Sequence, residues 1–248
     1  MIRAFLILLL LCSLCDGGTR DPSTPDQKYV EYGQKFTYVG QLCGTNADNK
    51  MYCASAVAIK RRWIITAAHV VKDSKSCFLK IKEKKIEISK IFIPDEFEKN
   101  FGYYDIALGK SSEDIELDFF PELYSKDDEV GKICCISGFG IHGTFNSGAN
   151  LSDGKQRAGS NIIEYINRHL LICSPSKPND KKRTSLEFLI ASGDSGGGLF
   201  IDNKLAGINS CVLATDKNPN STYGDESGHT RISVNLPWIL ETIEKNEK

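Results

Sequence analysis

Three side chains in this 248-residue sequence have the chemistry of a nucleophile, a base and an acid. The run Ser192-Gly193-Asp194-Ser195-Gly196-Gly197-Gly198 surrounds one serine with glycines. A serine hydroxyl is a weak nucleophile by itself: attack on a carbonyl needs a base for its proton and N–H donors for the developing oxyanion. Gly193, Gly196 and Gly197 lack a Cβ, so they permit a turn sharp enough to aim the N–H groups of Gly193 and Ser195 at one point. His69, delivered by the apolar run Trp63–Val71, is the candidate base, and Asp105 stands at the mouth of the apolar Ile106-Ala107-Leu108. Taken singly, each also fits an ordinary role as a glycine-rich turn, a packed histidine or a strand-end aspartate.

The elements that must position these groups read as short strands. Strands are expected at Phe36–Leu42 and Tyr52–Ile59 about the polar turn Asn46–Lys50, and at Trp63–Thr66 before His69. A hairpin is expected over Phe78–Ile93, where Leu79, Ile81, Ile86 and Ile88 alternate around Glu83-Lys84. The polar run Ser111–Glu129 connects two halves. A strand follows over Val130–Phe139, then a glycine- and asparagine-rich loop at Gly143–Gly159, a strand-like Ile162–Cys173 and a basic loop through Lys181-Lys182-Arg183. Leu199–Ile201 and Leu205–Ser210 form a hairpin about Asp202-Asn203. After a polar loop, His229–Ile232 returns as a strand, and the chain ends in a helix capped by Asn235, with Pro237 in its first turn and Ile239 and Ile243 on one face. Many short strands with one terminal helix indicate an all-β chain.

With 41% hydrophobic residues and a net charge of -1, the chain can build a core and has no basic field directed at nucleic acid. Met1–Leu14 has a basic Arg3 and an apolar run from Ala4 to Leu11, and small residues at Ser13 and Cys15; it reads as a signal peptide for secretion. A retained membrane anchor would need about 20 apolar residues, and Asp16-Gly17-Gly18 ends the run too early. Thr19–Lys28, polar and with Pro22 and Pro25, reads as a flexible leader. Seven cysteines lie beyond the signal peptide, an odd number for an oxidising compartment, and Cys43 and Cys53 flank one turn that they could bridge. Asn150-Leu151-Ser152 and Asn220-Ser221-Thr222 are glycosylation sequons suited to surface loops.

Thr66-Ala67-Ala68-His69, Asp105-Ile106-Ala107-Leu108 and Gly193-Asp194-Ser195-Gly196-Gly197, in the order His, Asp, Ser, resemble the three signature motifs of the trypsin- and chymotrypsin-like serine peptidases. Cys134–Gly140 resembles the opening strand of that family's second barrel, and Pro237-Trp238-Ile239 its closing helix. The resemblance implies an all-β fold of two antiparallel six-stranded β-barrels with a C-terminal α-helix. It divides the chain into a signal peptide (1–15), a leader or propeptide (16–33) and a peptidase domain (34–248), with barrels at about 34–120 and 121–248. His69 would be the base, Asp105 its orienting acid, Gly193 and Ser195 the oxyanion donors, and Ser210 the support for Asp105. No cofactor or metal is implied; the partners are protein or peptide substrates, with protein inhibitors as further candidates.

The departures from the family pattern carry their own expectations. Val70, Ile201 and Ala191 replace cysteines that the family pairs, so Cys53 and Cys134 lack their expected partners. Val30-Glu31-Tyr32-Gly33 is a poor match to the activation segment whose freed amine would pair with Asp194, which leaves open whether a cut near Lys28 or Tyr29 acts as the switch. Leu189 stands where trypsin-like members carry an aspartate, so a basic P1 side chain would bury an unpaired charge. Val212 in place of a pocket-wall glycine favours small or medium apolar P1 residues. A secreted homologue that only binds is the alternative reading. The same serine run fits the G-x-S-x-G elbow of α/β-hydrolases, but His229, the only histidine after Ser195, leaves too little chain for that fold.

Overall fold

The computed structural model describes residues 18–97 and 104–247. The expected signal peptide and part of the aromatic loop before Asp105 lie outside these. The described chain opens with strand β1 (Thr19–Arg20) and helix α1 (Asp26–Gly33). The first half then runs β2 (Val39–Asn46), β3 (Met51–Lys60), β4 (Trp63–Thr66), the one-turn helix α2 (Ala68–Val71), β5 (Ser74–Ile81), β6 (Lys84–Phe92) and β7 (Ala107–Ser111). These strands close into an antiparallel barrel in the order β2-β3-β4-β7-β6-β5. The turn between β2 and β3 forms because Asn46 Oδ1 accepts the N–H groups of Asp48 and Lys50, while Asn49 takes the left-handed conformation open to asparagine. Cys43 and Cys53, directly opposite in that hairpin, form a disulfide.

The second half comprises β8 (Ile133–Gly138), β9 (His142–Thr144), β10 (Gly148–Leu151), β11 (Arg157–Ile162), β12 (Tyr165–Asn167), β13 (Leu170–Cys173), β14 (Phe188–Leu189), β15 (Gly198–Ile201), β16 (Lys204–Leu213) and β17 (Glu226–Arg231), then helix α3 (Ile232–Asn246). Seven of these strands form one sheet in the order β11-β8-β15-β16-β17-β13-β12. Asp202 and Asn203 both have positive φ, as the tight β15–β16 turn requires. One apolar cluster fills the first barrel (Leu42, Ile64, Leu79, Ile86) and another the second sheet (Ile136, Leu171, Phe188, Leu199). A third joins the halves, packing Val57, Trp63 and Ile65 against Phe200, Ile208 and the Ile239/Ile243 face of α3.

Three expectations need correction. Gly143–Gly159 is not a plain loop: it contains β9, β10 and the start of β11. Its glycines serve close approach, since a Cβ on Gly143 would lie 2.0 Å from the Gly148 carbonyl oxygen. Asn235 does not cap the last helix. It lies inside α3, where its side-chain amide donates to the Arg231 carbonyl at 2.7 Å. Thr19–Lys28 is not a flexible leader. β1 inserts between β9 and β14, with Thr19 opposite both Gly143 and Leu189, and Tyr29 of α1 is fully buried beside Phe188.

Charge explains why so polar a segment packs. Arg157, 1% exposed, grips Asp26 of α1 through Nε and Nη2 (2.9 and 2.7 Å) and Asp153 through Nη1 and Nη2 (2.8 and 2.9 Å). Hydrogen bonding from Arg157 holds the Asp26 carboxyl below its ordinary range. Arg183, expected in a solvated basic loop, instead pairs with the buried Asp21. Arg157→Met should therefore cost about 2–3 kcal/mol of local stability. Hydrogen exchange should show amide protection over residues 26–33 falling at least about tenfold, while β2–β7 keep theirs.

Candidate active site

The three candidate residues come together from separate elements of the two halves. β4 ends at Thr66, and α2 places His69 beside β7. Asp105 precedes β7 in the stretch that pairs with β4, and Ser195 sits in the turn before β15. His69 Nδ1 lies 2.7 Å from Asp105 Oδ2, and the His69 backbone N–H donates to Asp105 Oδ1 at 2.9 Å. His69 Nε2 lies 3.0 Å from Ser195 Oγ. Ser210, on β16, donates to Asp105 Oδ2 at 2.5 Å, and Thr230 of β17 donates to the Asp105 carbonyl at 3.0 Å.

Burial alone would raise the Asp105 carboxyl, but the neighbouring His69 charge and the hydrogen bonds from His69 and Ser210 outweigh it and hold the carboxyl below its ordinary value. An ionised Asp105 accepts only, so Nδ1 of a neutral His69 carries the proton. Nε2 is then the acceptor facing the serine hydroxyl. His229, the other candidate partner for a serine, is spoken for elsewhere. Its ring nitrogens lie 2.9 Å from Asn209 Oδ1 and Ser227 Oγ, and burial lowers its pKa to about 3.

The serine turn is held from both halves. Gly193 and Gly196 adopt φ of 91° and 83°, and a Cβ on Gly196 would fall 2.0 Å from Thr66 Oγ1. Ser55 on β3 donates its hydroxyl to the Gly193 carbonyl (2.9 Å), accepts the Phe139 N–H (2.9 Å), and through its own N–H binds the Ser195 carbonyl (2.9 Å). Asn209 Nδ2 donates to the Asp194 carbonyl at 3.2 Å. Ser55, Asn209 and Thr230 were not legible as site residues; Ser55 and Asn209 carry one signal, a polar side chain within an apolar strand, which must find a partner when buried, and Thr230, in the polar strand β17, carries none.

Asp194 is fully buried, with a carboxyl that accepts the N–H groups of Gly140 (2.8 Å) and Ala191 (2.9 Å) and also the backbone N–H of Gly18. Burial pushes its pKa up to about 7, and these backbone donors only partly offset that. Gly18 has φ of 53°, and a Cβ there would strike the Phe188 ring at 2.0 Å, so only glycine fits beside Asp194. Leu189 is buried in β14 beneath Thr19, and half-buried Val212 lies on β16 two residues beyond Ser210. The two sequon asparagines stand outside the triad's contacts. Asn150 is exposed on β10, and half-buried Asn220 accepts the Ala149 N–H through its carbonyl. Among the described residues no group of three or more His, Cys, Asp or Glu could hold a metal, and no helix is long and apolar enough to cross a membrane.

The chain is similar to known proteins in sequence and in fold. The family model described as Trypsin matches residues 28–239. Mast cell protease 8 of Mus musculus is 26% identical, over 96% of this chain and 97% of its own. Kallikrein-1E2 of Equus caballus is 25% identical, over 77% of this chain and 80% of its own. Among solved structures, an HL collagenase superposes with a TM-score of 0.69 at 19% identity, covering 84% of this chain and 94% of its own. Mouse neuropsin, a serine protease of the limbic system, gives 0.66 at 20% identity, covering 85% and 96%. At these identities the two structures speak for the fold.

Asp194 generates a stability prediction with a defined sign. Its carboxyl is raised in the folded protein, so folding favours the protonated form. The stabilisation is complete below pH 4 and is lost as pH rises towards about 7. In the chain with the Gly17–Gly18 bond intact, urea unfolding should show this loss as about 2–4 kcal/mol between pH 4 and pH 8, relative to an Asp194→Asn variant lacking the titrating group.

Proposed function

Since the chain belongs to the trypsin family of serine proteases, we propose that it is a secreted serine endopeptidase cutting through Ser195, His69 and Asp105. The observation that carries this reading is the unbroken hydrogen-bond chain from Ser195 Oγ through the His69 ring to Asp105. As Ser195 Oγ attacks the scissile carbonyl, its proton passes to His69 Nε2, and ionised Asp105 stabilises the imidazolium. The oxyanion develops towards the N–H groups of Gly193 and Ser195; the Ser55 bonds to the carbonyls of both residues hold the peptides that follow them, and so the serine turn on either side of Asp194. His69 then gives the proton to the departing amine, which leaves an acyl ester on Ser195. Water deprotonated by His69 attacks that ester and restores the serine.

For specificity, Leu189 offers no carboxylate to a basic P1 side chain, and Val212 narrows the wall, so small or medium apolar P1 residues are favoured. For activation, a cut between Gly17 and Gly18 would turn the N–H beside Asp194 into an ammonium and give that buried carboxylate its counter-charge. The alternative segment at Val30 is a poor source: it lies within α1, directly after the fully buried Tyr29. Cys15 and Gly17 are small residues two apart, a spacing that suits leader removal itself as this cut.

Four outcomes follow. A fluorophosphonate should label the secreted protein at Ser195, and absence of labelling in every processed form would favour a binding module instead. Ser195→Ala should lower kcat/KM by at least about 10⁴-fold. Ser210→Ala, which removes a donor to the Asp105 charge, should lower it by about tenfold or more. Peptide-library cleavage with N-terminal sequencing should return apolar P1 residues and an active form that begins at Gly18; an active form beginning at Val30 would overturn the activation reading.

A further inference from the structure

The disulfide plan suggested by the sequence leaves Cys134 without its usual neighbour, because Ile201 occupies the adjacent position on β15 and packs in the same cluster. The structure offers it a different partner. Cys134 on β8 and Cys173 on β13 are each fully buried, and their sulfurs lie 3.7 Å apart. The two strands are not neighbours in the sheet, since β15, β16 and β17 separate them. Their sulfurs meet across the interior, in the cluster that also holds Ile136, Leu171 and Ile201.

We propose that Cys134 and Cys173 are joined by a disulfide in the mature protein, a bond across the core of the second half. The proposal rests on the reading that the chain enters the secretory pathway, where thiols are oxidised. The sulfurs already touch, so side-chain rotation has little distance to close before reaching a bond of about 2.05 Å. Two thiols lose two protons and two electrons to form one S–S bond, and a protein or glutathione disulfide accepts them and becomes two thiols.

The timing of the bond follows from burial. Once the sheet has closed, neither sulfur is accessible and burial raises the Cys173 thiol well above its ordinary pKa, so little attacking thiolate remains. Oxidation therefore belongs to the stage before the core closes. The finished bond should resist reductant until the protein unfolds. It would tie β8, which leads into the Gly140 donor to Asp194, to β13, which leads through the Arg183 loop to Leu189. With Cys43–Cys53 it accounts for four of the seven cysteines and leaves Cys77, Cys135 and Cys211 as thiols.

The test uses the full chain expressed in a secreting host. Protein from the medium is unfolded in excess alkylating reagent without reductant, digested and weighed. Cys134 and Cys173 should appear as one cross-linked peptide pair and Cys77 in alkylated form. Recovery of Cys134 and Cys173 both alkylated, or of either linked to another cysteine, overturns the proposal. Should the chain not reach the medium, the secretion reading fails by itself. The bond is then tested on reduced chain refolded in a glutathione redox buffer, with the same two outcomes. Wild type should melt about 5–10 °C higher unreduced than reduced. Cys134→Ala/Cys173→Ala should keep only the smaller share due to Cys43–Cys53, and equal reductant sensitivity in the two proteins counts against the bond.

Discussion

The candidate site depends on keeping one carboxylate charged inside the protein. Asp105 is nearly inaccessible, and an unpaired charge there would cost several kcal/mol. It is held by donors from both halves: the ring and backbone of His69 from the first, and the Ser210 hydroxyl from the second. The residue belongs to the first half, yet its carbonyl is anchored by Thr230 of β17. Any shift of one half against the other breaks a charge-assisted bond, so the shared cluster of Trp63, Ile65, Phe200 and Ile239 has a chemical task as well as a packing one.

Asp194 poses the same problem, and the structure answers it differently. Asp105 has an imidazole that can carry positive charge; Asp194 has only backbone N–H groups, and its pKa rises to about 7. One carboxylate is thus tuned to stay ionised, while the other lacks a counter-charge in the intact chain. The third of its donors, Gly18, is tethered by the segment that follows it, where Arg183 pairs with Asp21 after β1 and Arg157 binds Asp26 at the start of α1. The ion pairs of this N-terminal segment therefore act at a distance, by keeping a backbone nitrogen next to Asp194.

Much of this was legible from local chemistry. Asn46, Asp202 and Asn203 mark turns because their own side chains and backbone preferences make them, and the apolar run into His69 marks a strand by composition alone. What escaped has non-local causes. β9 and β10 are poor strand formers by composition; β9 pairs with β1 on one side and carries β10 on the other. The leader reads as disordered because Asp21 and Asp26 find their partners at Arg183 and Arg157, more than a hundred residues away. Asn235 follows the rule for a helix cap, but α3 starts earlier, directly from β17, so the amide bonds back to Arg231 within the helix. The triad was readable for the opposite reason: its three short motifs each carry their own backbone context.

Ser55 shows how far such local reading extends. It is a small polar residue flanked by alanines in β3, and nothing in its neighbourhood announces a role. Yet one side-chain oxygen joins the Phe139 N–H to the Gly193 carbonyl, and its backbone N–H holds the Ser195 carbonyl. A peptide plane is rigid, so fixing a carbonyl fixes the direction of the N–H on the following residue. Through Ser55 the first half therefore sets the orientation of backbone groups in the second half's serine turn, just as Ser210 and Thr230 on the second half set Asp105. Each half completes the other's part of the site, and neither could present the assembled geometry alone.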